Sequence, residues 1–169
     1  MASSYEYFKK EVREYILGRF STDIEILDVG AGCGTYKDLL KEYTKMDAVE
    51  VFKPNIEKYA LESKYRDVYN VNICEFRYEY YDLAIFGDVL EHLEVEEAQR
   101  VLDYALEHSK EVLVALPYLY EQGIEENNVY EIHKQADLTP EIVKERYPRL
   151  KLLYGDNLYG YYIKLTEEE

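Results

Sequence analysis

The stretch Ile24 to Tyr36, IEILDVGAGCGTY, constrains the fold of this chain more than any other. Its first six residues are apolar at four positions and rich in β-branched side chains, the composition of a strand buried on both faces of a parallel sheet. Gly30, Gly32 and Gly34 follow, and behind them Tyr36, Leu39, Leu40 and Tyr43 recur at helical spacing. Strand, glycine turn and helix in that order make a nucleotide cradle. The glycines let the backbone pass close to a ligand, and the helix start offers unpaired N–H groups.

The spacing of the glycines separates two classes of nucleotide. A dinucleotide fingerprint is G-x-G-x-x-G and would place its third glycine where this chain has Thr35. Here the spacing is G-x-G-x-G, with Asp28 two residues before the first glycine. A second segment, Tyr81 to Leu93 (YDLAIFGDVLEHL), reads as a strand opening at Asp82, a buried run from Leu83 to Phe86, and Gly87 and Asp88 at its C-terminal end. That end is where open α/β sheets bind ligands. The first segment resembles motif I of the class I S-adenosylmethionine-dependent methyltransferases. Val89-Leu90-Glu91-His92 resembles the segment after the fourth strand of the small-molecule members of that family.

The rest of the chain reads as alternating helices and strands. Residues 4 to 19, within a leading segment 1–20, place Tyr5, Phe8, Val12, Tyr15 and Ile16 three or four apart, an amphipathic helix ending near Gly18. Met46 to Val51 reads as a second strand carrying Glu50, and a helix starts at Pro54. Val68 to Ile73 reads as a third strand leading to Asn72; a helix over Glu94 to His108 and a strand over Glu111 to Pro117 follow. This alternation implies a parallel sheet with helices on both faces. Residues 118 to 137 break the rhythm, and a loop this long leaving the ligand edge is the candidate acceptor-side lid. Thr139-Pro140 caps a helix to about Tyr147, and strands at Leu150–Tyr154 and Tyr159–Leu165 reverse through Gly155-Asp156-Asn157. The resemblance implies one Rossmann-like, doubly wound α/β domain over residues 1–169, its seven-stranded sheet mostly parallel with an antiparallel last strand.

Composition limits the partners. With 35 acidic against 20 basic residues the formal net charge is −15, a surface that repels phosphate backbones, so no nucleic-acid partner is expected. No apolar run approaches a membrane span and the N-terminal residues lack a signal-peptide core, so a cytoplasmic protein without membrane contact is expected. Cys33 and Cys74 have neither the count nor the spacing of a disulfide framework or a zinc site, and the 20 tyrosines read mostly as half-buried packing. His92, His108 and His133 are not spaced as a ligand cluster with nearby carboxylates, so no metal site is expected.

What the resemblance implies for the site is specific. The cofactor is S-adenosylmethionine, lined by Asp28, Gly30, Ala31, Gly32, Gly34 and Tyr36 at the first turn, Glu50 and Val51 at the ribose, Asn72 and Ile73 at the adenine, and Gly87, Asp88 and Val89 beside the sulfonium. A carboxylate about 20 residues beyond the glycine turn suits ribose hydroxyls in dinucleotide binders too. For acid–base work His133, His92 and Asp88 compete, since an imidazole titrates near neutrality. His108, at a helix C-terminus, is accounted for by the helix dipole. The acceptor expected is a small molecule, with a protein side chain next. The alternatives are a non-catalytic S-adenosylmethionine or nucleoside-binding module on the same fold, or an NAD-dependent oxidoreductase, against which Thr35 and the segment after the fourth strand both argue.

Overall fold

A computed structural model of the chain describes residues 6–165. In chain order the elements are α1 (Lys9–Arg19), β1 (Ile26–Val29), α2 (Thr35–Leu39), β2 (Met46–Val49), α3 (Lys53–Lys58), α4 (Leu61–Lys64), β3 (Val68–Tyr69), β4 (Tyr81–Gly87), α5 (Val95–His108), β5 (Ser109–Pro117), α6 (Pro140–Arg146), β6 (Leu150–Gly155) and β7 (Tyr159–Lys164). They build one seven-stranded sheet in the order β3-β2-β1-β4-β5-β7-β6. The pairings from β3 through β5 are parallel, and β7 runs antiparallel to both β5 and β6. This is the mostly parallel, doubly wound sheet with an antiparallel last strand that the sequence implies.

Alternate side chains of the central strands feed two cores. Leu27, Ala84, Phe86, Val112 and Val114 pack with Ala98, Val101, Leu102 and Ala105 of α5 and Val143 of α6. Ile26, Leu83, Ile85 and Leu113 pack on the other face with Val12 and Ile16 of α1, Tyr36 of α2, Ile56 of α3 and Leu61 of α4. Both faces are therefore covered, which is why β1, β2 and β4 read as near-continuous apolar runs. The register aligns the strand ends: Val29 lies beside Val49 on one side and Phe86 on the other. Gly30, Glu50 and Gly87 consequently leave the sheet at one edge, side by side.

Several elements are shorter than the pattern suggests. The leading helix begins at Lys9 rather than residue 4, whose structure lies outside the described residues. The helical spacing behind the glycines carries only Thr35–Leu39 as helix. Tyr43 instead turns under α1 and donates its hydroxyl to the carbonyls of Ile16 and Phe20 at 3.2 and 3.0 Å. β3 has two residues, because Asn70 donates to the carbonyls of Glu50 and Val51 at 2.8 and 3.1 Å and turns the chain back over the edge. α5 and α6 start as their caps dictate: Glu94 and Glu97 form a capping box, and Thr139 accepts from the Ile142 N–H at 3.2 Å.

Candidate functional site

The C-terminal edge of the parallel strands opens into a cleft of about 360 Å³. Its floor is the glycine turn, where Gly30, Gly32 and Gly34 have φ of 66°, 55° and 87°, the left-handed region glycine enters without strain. Glu50, 5 % exposed, locks that turn from the end of β2: Oε2 accepts the Gly32 N–H and Oε1 the Phe52 N–H, each at 2.8 Å. Burial raises the pKa of its carboxyl, and the two N–H groups oppose that rise. The Asn55 side chain opposes it as well, and the carboxyl lines the cleft. Gly87 ends β4 with no room for a side chain, because a Cβ there would stand 2.1 Å from Cε2 of Tyr36. The Tyr36 hydroxyl in turn meets that of Tyr161 at 3.0 Å, and the buried Lys9 ammonium reaches both. Burial lowers Lys9 to about 8.

Two residues expected to touch the cofactor stand behind the cleft instead. Asp28 is 1 % exposed beneath the turn, where the Tyr65 hydroxyl donates to Oδ2 at 2.5 Å while Oδ1 has no hydrogen-bond partner. Burial pushes it up to about 7. Gly34 caps α2 and faces Leu61 and Lys64 of α4. Both shape the turn from below. Asn72 lines the cleft, but its side-chain carbonyl accepts the Cys74 N–H at 2.9 Å, so the acceptor expected for adenine is already engaged in a local turn. Gly30, Ala31, Gly32, Tyr36, Glu50, Val51, Ile73, Gly87, Asp88, Val89, His92 and His133 all line the cleft.

The other end of the cleft is built by the turn after β4 and the long segment after β5. Asp88 has φ 58° and accepts from the Tyr159 hydroxyl at 2.5 Å. Leu90–His92 then forms a single 3-10 turn that brings Glu91 fully inside. Both Glu91 oxygens lie without a hydrogen-bond partner, and burial followed by the charge of Asp88 holds its carboxyl well above the usual range. Residues 118–137 fold back over this turn. Lys134 and Gln135 donate their N–H groups to the Glu91 carbonyl at 2.9 and 3.0 Å, and the Gln135 side chain donates to the carbonyls of Leu90 and Leu93.

This folding-back brings together two histidines that their spacing in the sequence does not group. The rings of His92 and His133 lie 4.7 Å apart at 74°, and His92 Nε2 is 3.7 Å from Glu91 Oε1. A carbonyl can only accept, so His92 donates Nδ1–H to Ile132 at 3.2 Å and His133 donates Nδ1–H to Tyr120 at 2.8 Å. The lone pairs are therefore on Nε2 in both rings. Burial, reinforced by the neighbouring ring, lowers His92 to about 4, and burial also lowers His133. Both are neutral at pH 7. His108 stays outside the cleft, stacked on Tyr104 at 3.9 Å. Glu91, Thr35, Asn55, Tyr120, Asn128 and Glu131 also line the cleft, though the sequence assigns none of them to the site. Of these only Glu91 had a signal, its place beside His92 at the end of a strand.

No protein-family model matches this sequence, and neither does any curated protein. Solved structures do. A Burkholderia thailandensis 1,6-didemethyltoxoflavin-N1-methyltransferase, with bound 1,6-didemethyltoxoflavin and S-adenosylhomocysteine, is 14 % identical over 94 % of this chain and 76 % of its own, with a TM-score of 0.67. An S-adenosylmethionine-dependent methyltransferase from Archaeoglobus fulgidus is 17 % identical over 94 % and 93 %, with a TM-score of 0.69. The small RNA methyltransferase HEN1 is 20 % identical over all of this chain and 27 % of its own, with a TM-score of 0.69. The chain has the fold of the class I S-adenosylmethionine-dependent methyltransferases.

Proposed function

We propose that this chain binds S-adenosylmethionine along the C-terminal edge of its sheet and transfers the methyl group to a small-molecule acceptor. The observation that carries the reading is the latch between Glu50 and the glycine turn. A buried carboxylate at the end of β2 holds the Gly32 N–H at 2.8 Å and lines the cleft. That arrangement suits a nucleoside with two ribose hydroxyls and needs no phosphate. When bound, the cofactor supplies a methyl group already activated on a sulfonium.

The residues then have positioning to do. Gly30 to Gly32 admit the ligand against bare backbone, Glu50 accepts from the ribose, and Val51, Asn72 and Ile73 wall the base. Gly87, Asp88 and Val89 border the reacting end, and the segment 118–137 excludes water from it, as alignment of two reactants requires. His92 and His133 offer neutral nitrogens on the acceptor side, and Asp88, held by Tyr159, borders them. The net charge of −15 favours a small acceptor over a nucleic acid.

Hydrogen exchange with and without S-adenosylmethionine tests the reading. Protection confined to residues 30–36, 50–51, 72–73 and 87–89 is expected. Protection elsewhere, or none, would remove it.

A further inference from the structure

We infer that Glu91, His92 and His133 form a three-ligand site for a first-row divalent transition cation at the acceptor end of the cleft. One donor atom from each of the three lies within 4.8 Å of the others. Three independent features point to a cation there.

The first is Glu91. It is fully buried on a turn of its own backbone, and neither carboxylate oxygen finds a hydrogen-bond donor. A buried carboxyl normally has partners, because a polar group left unpaired away from water is costly. The neutral His92 ring at 3.7 Å is too far to serve. A cation satisfies the orphaned oxygens.

The second is the orientation of the imidazoles. Each ring spends its Nδ1–H on a backbone carbonyl of the folded-back segment, Ile132 for His92 and Tyr120 for His133. Metal-ligating histidines are held in this way: the second nitrogen is tied by a hydrogen bond, which fixes the tautomer and aims the other. Two rings fixed in the same tautomer at 4.7 Å are more than packing requires.

The third is position. All three residues line the cleft, so a bound cation would keep open coordination positions toward it, as catalytic sites with three protein ligands do. Two imidazoles and one carboxylate suit Mn²⁺, Co²⁺ or Zn²⁺ better than Ca²⁺ or Mg²⁺, which prefer oxygen sets. His133 stands on the long segment after β5 and His92 on the sheet edge, so the cation also ties that segment to the sheet. The role of the cation rests on the methyl-transfer reading: it would hold an acceptor oxygen or nitrogen beside the reacting end. The site itself does not depend on that reading.

The test is titration of the chelator-stripped full chain with Co²⁺, read by calorimetry and by the visible absorption of the ion. One Co²⁺ per chain is expected, with at least tenfold weaker binding and loss of the visible band in His133→Ala. His133 is only half-buried, so that variant keeps the core; Glu91→Gln, checked for folding by circular dichroism, should weaken binding likewise. Wild-type binding no tighter than that of His133→Ala overturns the inference. S-adenosylmethionine titrated into the stripped protein is a separate measurement. Cofactor binding without Co²⁺ binding removes the cation site alone, and Co²⁺ binding without cofactor binding removes the functional reading alone.

Discussion

Three buried carboxyls sit within one ligand edge, and their surroundings give them different work. Asp28 lies under the glycine turn with one hydroxyl partner, Glu50 holds two backbone N–H groups, and Glu91 holds none. Asp28 titrates near 3.8 in an unfolded chain and at about 7 here. As pH rises through that window the unfolded chain releases its proton first, so stability from this group is complete below 3.8 and is lost on the way to 7. Chemical denaturation at pH 4.5 and pH 8.5 should show wild type losing about 3 kcal/mol relative to Asp28→Asn over that interval; parallel pH profiles would contradict the burial account. Glu50→Gln should weaken S-adenosylmethionine at least tenfold, about 1.4 kcal/mol, in a direct titration. Unchanged affinity would remove the ribose role. Gly87→Ala forces a methyl group into the Tyr36 ring and should cost about 1–3 kcal/mol in urea unfolding. At this scale the sequence announces residue types well and their contacts poorly. Asp28 and Glu50 are both carboxylates at strand ends, yet only the three-dimensional twist of the turn decides that Glu50 faces the cleft and Asp28 the core.

At the scale of elements, β1, β2 and β4 are legible because a strand covered on both faces must be apolar at nearly every position, and α5 because its apolar stripe is long. The short pieces are less legible. α2 ends after five residues because Tyr43 finds better partners beneath α1, and β3 after two because Asn70 caps the edge. Residues 118–137 carry no period, so their path was open. Their path is fixed by Gln135, 2 % exposed, which donates to Leu90 and Leu93 and accepts from the Tyr147 hydroxyl at 2.8 Å. Gln135→Ala leaves those groups without partners and should cost about 1–3 kcal/mol. Hydrogen exchange should also quicken at residues 133–135 in the variant. Exchange there at the wild-type rate would mean the segment is held by something other than this staple. The meeting of His92 with His133 depends on the same path, which is why no spacing rule could find it.

Across the whole molecule, the register of β1 with β2 and β4 gathers Gly30, Glu50 and Gly87 at one edge, and the antiparallel β7 supplies Tyr159 to Asp88. The fold was legible from two motifs more than 50 residues apart, because a parallel sheet brings every strand end to the same side. Among the described residues no helix is long and apolar enough to cross a membrane. The most direct test of the proposed function is calorimetric titration of the purified chain with S-adenosylmethionine, S-adenosylhomocysteine and NAD in parallel. Saturable binding of both sulfur nucleosides in the micromolar range, about −8 kcal/mol, with none of NAD, is the result predicted. Binding of NAD with silence from the sulfur nucleosides, or silence from all three, would contradict it and leave only the fold.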